Sequence, residues 1–328
     1  MRLTISEAED LVVSILLRNT VREDNARAVA RALVAAEAAG QGGHGLRRVP
    51  TYAAQAMAGK VDGFATPVAT KTAEAVLRID AAFGFAYPAL DLAVAELAPL
   101  AAKTGIALAA IHRSHHAGVM GLTVERFAEQ GLVALMVANT PAAMAPWGGR
   151  TALYGTNPIA FAAPLPDADP IVIDLAMSKV ARGKIVTAKQ KGLTIPADWA
   201  LDADGHPTTD AAKAVEGTMM PLGEAKGAAL ALMVELLAAG ITGAQYAFEA
   251  SSLLDDKGAP PALGQTVIVI DPKASGGADM LPRLSLLAEM IGSDLGARLP
   301  GKRGATQRRL ALANGLELED DILQLLGA

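Results

Sequence analysis

Three of the chain's five histidines stand together in the stretch IHRSHHAGVM at 111–120: His112, His115 and His116. A fourth, His44, sits in the glycine-rich stretch QGGHGLRRVPTY at 41–52, with Arg47 and Arg48 close behind it. An imidazole exchanges a proton near neutral pH. A guanidinium fork holds a carboxylate through two parallel charge-assisted bonds. A histidine of the trio, with His44 in the other glycine-rich joint and Arg48 one helical turn after it, would therefore describe a site for proton transfer on a small carboxylic acid. Two other readings compete with it. A zinc site on the trio would want a fourth ligand, and neither a cysteine nor a suitably spaced carboxylate supplies one, so no metal is expected. The stretch could also be a polar turn around one buried imidazole, with Arg47 and Arg48 as solvated charges at a helix start.

Strands and helices must place these groups. AVLRID and GIALAAI read as strands with the helical PALDLAVAELAPLAAKTG between them, which predicts one β-α-β passage across 75–111. LTVERFAEQG follows as a helix and LVALMVANT as a strand. The histidine trio thus falls where a strand ends and a helix begins, a frequent place for reacting groups in α/β proteins. Upstream, Ser6 with Glu9 and Thr20 with Glu23 have capping-box spacing and predict a helical hairpin that stops at Gly40. Pro50 then opens a third helix. From 141 to 222, proline, glycine and short β-prone runs predict a second, more β-rich lobe. A helix at 226–239, a strand at TVIVID, a helix near 281–297 and a final helix complete the pattern. The most apolar window, 227–244, carries Glu235 at its middle and reads as a buried helix, not a membrane span.

Composition narrows the partners. A length of 328 residues suits two domains, and aromatics at 4% mean cores built from small aliphatic side chains. The net charge of −5 comes without a basic stripe, so no nucleic acid is expected and a small molecule is the better partner. The N-terminus lacks the apolar region of a secretory signal, and the chain reads as cytoplasmic. No predicted strand runs into a G-x-G-x-x-G turn, so a Rossmann dinucleotide site is not indicated. A phosphate has another place to go: Lys226 stands at the entrance of the helix in PLGEAKGAALALMVELL, beside free amides. A cation there opposes the helix dipole, which suggests a nearby anion, although a solvated lysine is the plainer account. Asp174, at the end of PIVID, could bind a hydroxyl or, more simply, cap the next segment.

Several stretches together resemble the malate/L-lactate dehydrogenase family. They are HG followed by R at 44–48, SHHAG at 114–118, APWGG and YGTNPIAFAAP within 145–164, IDLAMSKVARGKI at 173–185, IPADWALDADGHPTTD at 195–210 and KGAALALMVELLAAGITGA at 226–244. The resemblance runs colinearly through nearly the whole chain. It implies a nicotinamide-dependent oxidoreductase, working as a homodimer on a non-Rossmann α/β fold. The implied parts are a helical segment at 1–48, a mixed α/β substrate-side lobe at 49–123 and 289–328, and an inserted NAD(P)-binding domain at 124–288. By the same resemblance His116 is the acid/base, His44 the second active-site histidine and Arg48 the carboxylate-binding arginine. Thr140, Asp174, Leu175, Ala176 and Lys226 fall where the family contacts NADP or NAD, with NADPH favoured.

Within the family, RSHHAG, FAEQGLVAL, IDAAFGFAYPAL and MVELLAAGITGAQYAFE are most similar to the Δ1-pyrroline-2-carboxylate and Δ1-piperideine-2-carboxylate reductases, which reduce a cyclic imine to L-proline or L-pipecolate. The alternatives are a 2-hydroxy acid dehydrogenase for malate, L-lactate or ureidoglycolate and, more remotely, a noncatalytic small-acid binding protein. Three departures from the pattern involve four residues. Gly43 stands where the family usually has serine, Lys184 where the imine branch can carry an acid, and Glu224 with Ala225 replace a usual glycine and a larger residue.

Overall fold

Strand β1 (Arg2–Leu3) leads into helix α1 (Ile5–Leu17) in the computed structural model, which describes residues 1–327. Thr4 caps α1: its hydroxyl accepts from the Glu7 amide and the Glu7 carboxylate accepts from the Thr4 amide. The capping box expected at Ser6 and Glu9 therefore lies two residues upstream, because Ser6 is already helical. The second expected box is absent. Thr20 takes a φ of 59° and turns its hydroxyl to the Asn19 carbonyl, so α2 (Glu23–Ala38) starts after Arg22 with no side-chain cap. Acidic Glu23 and Asp24 in its first turn favour the positive end of the helix dipole instead.

Two single helical turns, Gly42–His44 and Leu46–Arg48, join α2 to α3 (Val49–Met57), with Pro50 in the first turn of α3. Glu37 of α2 holds this joint by accepting the Leu46 amide at 2.9 Å. Gly45 is needed beside it, since a Cβ there would overlap the Glu37 carboxylate. His44 and Arg48 thus ride on a joint braced from α2.

The chain continues through β2 (Val68–Ala73), β3 (Val76–Asp80), α4 (Ala86–Thr104), β4 (Ile106–Ser114), α5 (Met120–Ala128) and β5 (Val133–Ala138). The expected β-α-β passage is there: β3 and β4 pair in parallel around α4. Next come β6 (Ile159–Leu165), β7 (Ala168–Leu175), α6 (Arg182–Gln190), β8 (Ala200–Leu201), α7 (Ala211–Glu216), β9 (Thr218–Met219), α8 (Ala225–Glu235) and β10 (Leu263–Ile270). One sheet takes the order β2-β3-β4-β10-β5-β6-β7. Its central strand, β10, runs antiparallel to both β4 and β5.

Helices α4 and α5 pack on this sheet around Ile79, Leu97, Ile111, Val124, Phe127 and Met136. Alanines such as Ala93, Ala109, Ala134 and Ala160 let helix and sheet approach closely, as an aromatic-poor composition requires. The expected second β-rich lobe is not a separate sheet. Strands β6 and β7 extend the main one, and only the two-residue pair β8–β9 is local to 141–222. With α6 and α7 it covers a small core of Met144, Met177, Ile185, Ile195 and Met219.

Helix α8 stops at Glu235 and passes into a wider π turn over Leu236–Gly240. Among the described residues no helix is long and apolar enough to cross a membrane. The chain ends with α9 (Pro272–Gly276), α10 (Met280–Ser293), α11 (Lys302–Asn314), β11 (Leu316–Glu317) and α12 (Asp320–Leu326). Strand β11 pairs with β1, and Leu318 and Ile322 join Val12, Leu16, Leu33 and Tyr52 in a second core. Helix α12 is therefore packed against α3 and the turn that carries Arg48.

Candidate active site

The three neighbouring histidines diverge. His112, still on β4, sets Nδ1 4.0 Å from the Asp80 carboxylate of β3. His115 turns its ring edge-on to Tyr52 and Phe85, at centroid distances of 5.4 and 5.8 Å. Both His115 ring nitrogens are buried without a partner, and that burial, aided by Lys60 and Arg48, pushes its pKa down to about 3. His116 instead stacks on His44, with centroids 5.2 Å apart and planes 23° from parallel. The residues 115–119 between β4 and α5 thus send one imidazole inward as packing and the next toward His44 and Arg48.

The two arginines also separate. Arg47 pairs with Glu319 at 3.0 Å and Asp321 at 2.6 Å, clamping α12 to the N-terminal helices. Arg48 has no carboxylate partner among the described residues; its Nε donates to the Gly43 carbonyl at 2.9 Å. Burial first and the Arg48 charge second lower the His44 pKa to about 4 and hold His116 well below its ordinary value. The resting site is therefore one fixed cation beside two neutral, stacked imidazoles. A carboxylate on Arg48 would cancel the Arg48 contribution to keeping His116 neutral and leave the larger one, burial.

Sequence reasoning missed Tyr52, Tyr87 and Lys60. The Tyr52 hydroxyl lies 2.6 Å from His116 Nδ1 and 3.3 Å from the Tyr87 hydroxyl, all in the protein interior. A signal existed, since His44, Arg48 and Tyr52 repeat at intervals of four, the spacing of one helical face. Lys60 carried none. It is fully buried and donates to the carbonyls of Ser252 at 2.6 Å, Asp255 at 3.1 Å and Lys257 at 2.5 Å, tying that loop to the end of α3.

The residues expected at the cofactor lie on segments that backbone hydrogen bonds join in part. Thr140, after β5, accepts the Thr156 amide at 2.9 Å; the Met177 amide reaches the Thr156 carbonyl at 2.7 Å; the Leu222 amide reaches the Met177 carbonyl at 2.7 Å. This links Thr140 to Ala176 and to the loop that enters α8. Gly155 makes the junction possible, because a Cβ would overlap the Thr140 hydroxyl and carbonyl. Asp174 accepts the Gly121 amide at 2.7 Å, so it caps α5 rather than the segment that follows it. Burial raises its pKa to about 6. Leu175 beside it is exposed.

Lys226 is exposed in the first turn of α8, in a cleft of about 430 Å³ that also has Lys179, Asp198 and Glu224 in its walls. Lys179 is neutralised by Asp198, and Lys226 has no ion pair among the described residues. Gly227 lets the helix start against the Leu222 carbonyl, which a Cβ would overlap. Glu224, in place of the family's usual glycine, takes a φ of 59°. Residues 40–45 do spell G-Q-G-G-H-G, the glycine spacing of a dinucleotide fingerprint, but they leave a helix and form the His44 turn, not a strand-to-helix turn. Behind α8, buried Glu235 accepts from Asn139 at 3.2 Å, Asn157 at 2.7 Å and the Ala247 amide at 2.6 Å, locking the helix to the ends of β5 and β6.

Comparison with known proteins covers the same length. Residues 3–327 match the family model described as malate/L-lactate dehydrogenase. The chain is 46% identical over 326 residues to the (2R)-3-sulfolactate dehydrogenase (NADP(+)) of Chromohalobacter salexigens, covering 99% of this chain and 97% of that one. It is 40% identical to the Delta(1)-pyrroline-2-carboxylate/Delta(1)-piperideine-2-carboxylate reductase of Pseudomonas putida, covering 99% and 95%. The crystal structure of delta1-piperideine-2-carboxylate reductase from Pseudomonas syringae pv. tomato superposes with a TM-score of 0.94 at 37% identity, covering 99% of this chain and 98% of that one. With a seven-stranded mixed sheet, a histidine pair beside a free arginine and a match over almost its whole length, the chain belongs to the malate/L-lactate dehydrogenase family.

Proposed function

We propose that this chain is an NADP(H)-dependent oxidoreductase that reduces a small 2-imino or 2-oxo carboxylate. The observation that carries the reading is Arg48, held by Gly43 and left without a carboxylate partner beside the stacked pair His44 and His116. Arg48 binds the substrate carboxylate, and His44 packs against the reacting end. His116 Nε2, with no protein partner of its own among the described residues, gives a proton to the imine nitrogen or carbonyl oxygen. A bound reduced nicotinamide supplies the hydride to C2. Thr140, Asp174, Leu175, Ala176 and Lys226 are its proposed contacts: the unpaired Lys226 and the free amides of α8 fit a phosphate, and Leu175 and Ala176 offer an open edge. NADP is supported by the relative whose name specifies NADP(+).

The first substrate reading is a cyclic imine, Δ1-pyrroline-2-carboxylate or Δ1-piperideine-2-carboxylate, supported by the reductases at 40% identity and at a TM-score of 0.94. A second reading, a 3-sulfo 2-oxo acid, is favoured by the 46% relative. A homodimer belongs to the same reading, and the exposed Leu232, Met233 and Leu236 around the end of α8 offer it an apolar surface. The test is the loss of NADPH absorbance, with NADH in parallel, on adding Δ1-pyrroline-2-carboxylate, sulfopyruvate, pyruvate or oxaloacetate. Turnover of the imine alone establishes the first reading and turnover of sulfopyruvate alone the second. NADPH binding with no turnover on any of them would mark a small-acid binding protein.

A further inference from the structure

The proposed proton donor is held from behind by a pair of tyrosines. We infer that Tyr52 is a positioning residue that accepts a hydrogen bond from Nδ1–H of His116, passes its own hydrogen to Tyr87, and so keeps Nε2 as the nitrogen that meets the substrate. The inference rests on the reading of His116 as the acid, and its geometry is internal to the chain. Tyr52 has no exposed surface, Tyr87 is buried, and the spacing runs from Nδ1 to the Tyr52 oxygen at 2.6 Å and on to the Tyr87 oxygen at 3.3 Å.

The direction of these bonds follows from proton counting. A histidine about to release a proton from Nε2 is an imidazolium and carries a proton on both nitrogens. Nδ1 must then donate, and the Tyr52 oxygen must accept. Tyr52 has a single hydrogen, and Tyr87 is the other hydroxyl within reach. Once Nε2 has given up its proton, the neutral ring retains Nδ1–H and the same bonds persist. Tyr52 does not relay the proton itself, since burial raises its pKa and disfavours a phenolate.

Every charged or titratable neighbour of His116 otherwise opposes its protonated form. Arg48 on the turn before α3 disfavours a positive ring, His44 on the preceding turn and His115 on its own segment would do so when protonated, and the Lys60 charge acts on His115. Tyr52 on α3 and Tyr87 on α4 supply the acceptor side. Both tyrosines are packed in the second core, so the acceptor is held in place before substrate arrives.

The test compares the full-length protein with Tyr52→Phe and Tyr87→Phe. In NADPH-dependent reduction, activity falls as pH rises through the His116 pKa. Tyr52→Phe removes the acceptor, so that limb moves to lower pH by about one unit and kcat at neutral pH falls about tenfold. KM for the carboxylate stays within about twofold because Arg48 is untouched. Tyr87→Phe moves the limb the same way by less, and it serves if Tyr52→Phe does not fold. Nitrogen NMR of the substrate-free protein reads the tautomer without any turnover: neutral His116 carries its proton on Nδ1 in the unaltered chain and on Nε2 in Tyr52→Phe. A limb that stays in place or moves to higher pH overturns the inference, as does an Nε2–H tautomer in the unaltered chain. If no imine or oxo acid is turned over, the tautomer alone decides the role of Tyr52, and only the functional reading fails.

Discussion

Arg48 and His116 divide binding from chemistry, and the division can be measured. His116→Ala removes the acid while leaving the carboxylate fork, so kcat for reduction is expected to fall by about a hundredfold or more with KM little changed. Arg48→Ala removes the fork, so KM for the carboxylate is expected to rise by about a hundredfold, a loss in the range of a charged hydrogen-bonded pair. Steady-state kinetics on both variants checks this; equal losses in kcat and KM for the two would mean that neither has a separate role. These polar residues were legible because imidazoles and a guanidinium in glycine-rich joints have few structural uses. Spacing from His44 and the family resemblance pointed to Arg48, but the pairing that takes Arg47 away, with Glu319 and Asp321 more than 270 residues along the sequence, was not legible. Tyr52 hid for another reason: an aromatic on a helix face reads as core, and it is core as well as the partner of His116.

At the level of elements, local signals carried far and pairing signals did not. The β-α-β passage and the helix after the histidines follow from apolar period and length, and they stand where expected. Alternation cannot say that β10, arriving more than a hundred residues after β5, will enter between β4 and β5. Nor does it say that β6 and β7 will join the same sheet. Cap positions were ambiguous because Thr4–Glu7 and Ser6–Glu9 satisfy one pattern, and only the backbone geometry chooses. The entrance to α8 offers a test. Glu224 holds a φ of 59° with a ψ of −128°, a conformation that a side chain resists and glycine does not. Glu224→Gly relieves that strain and loses some unfolded-state restriction, for a net gain of about 1 kcal/mol in stability. Urea unfolding measures it, and a destabilised variant would mean that the Glu224 side chain contributes more than its backbone costs.

Across the whole molecule, the same burial that prepares the site ties stability to pH. His44 and His115 have pKa values lowered from 6.5 to about 4 and about 3, and His116 is lowered as well. In the unfolded chain these imidazoles take up protons near 6.5, whereas the folded chain keeps them neutral. Between 6.5 and about 4 the unfolded state therefore binds more protons, and stability falls as pH falls. Asp174 works in the opposite sense. Its pKa rises from 3.8 to about 6, so in that window the folded state holds the extra proton and acidification adds stability. His112 is lowered too, and Glu129 and Glu235 are raised like Asp174, so four imidazoles act against three carboxyls and the net expectation is a lower melting temperature at pH 5 than at pH 7.5. His44→Gln should flatten that dependence by removing one contributor. A carboxylate ligand should also flatten it, because cancelling the Arg48 charge raises the folded-state pKa of His44 and His116 toward their unfolded values. Thermal unfolding across this range, with and without L-proline as a carboxylate ligand, tests both statements. A melting temperature that does not change with pH would mean that burial, with the Arg48 charge behind it, does not hold the histidines neutral in the folded chain.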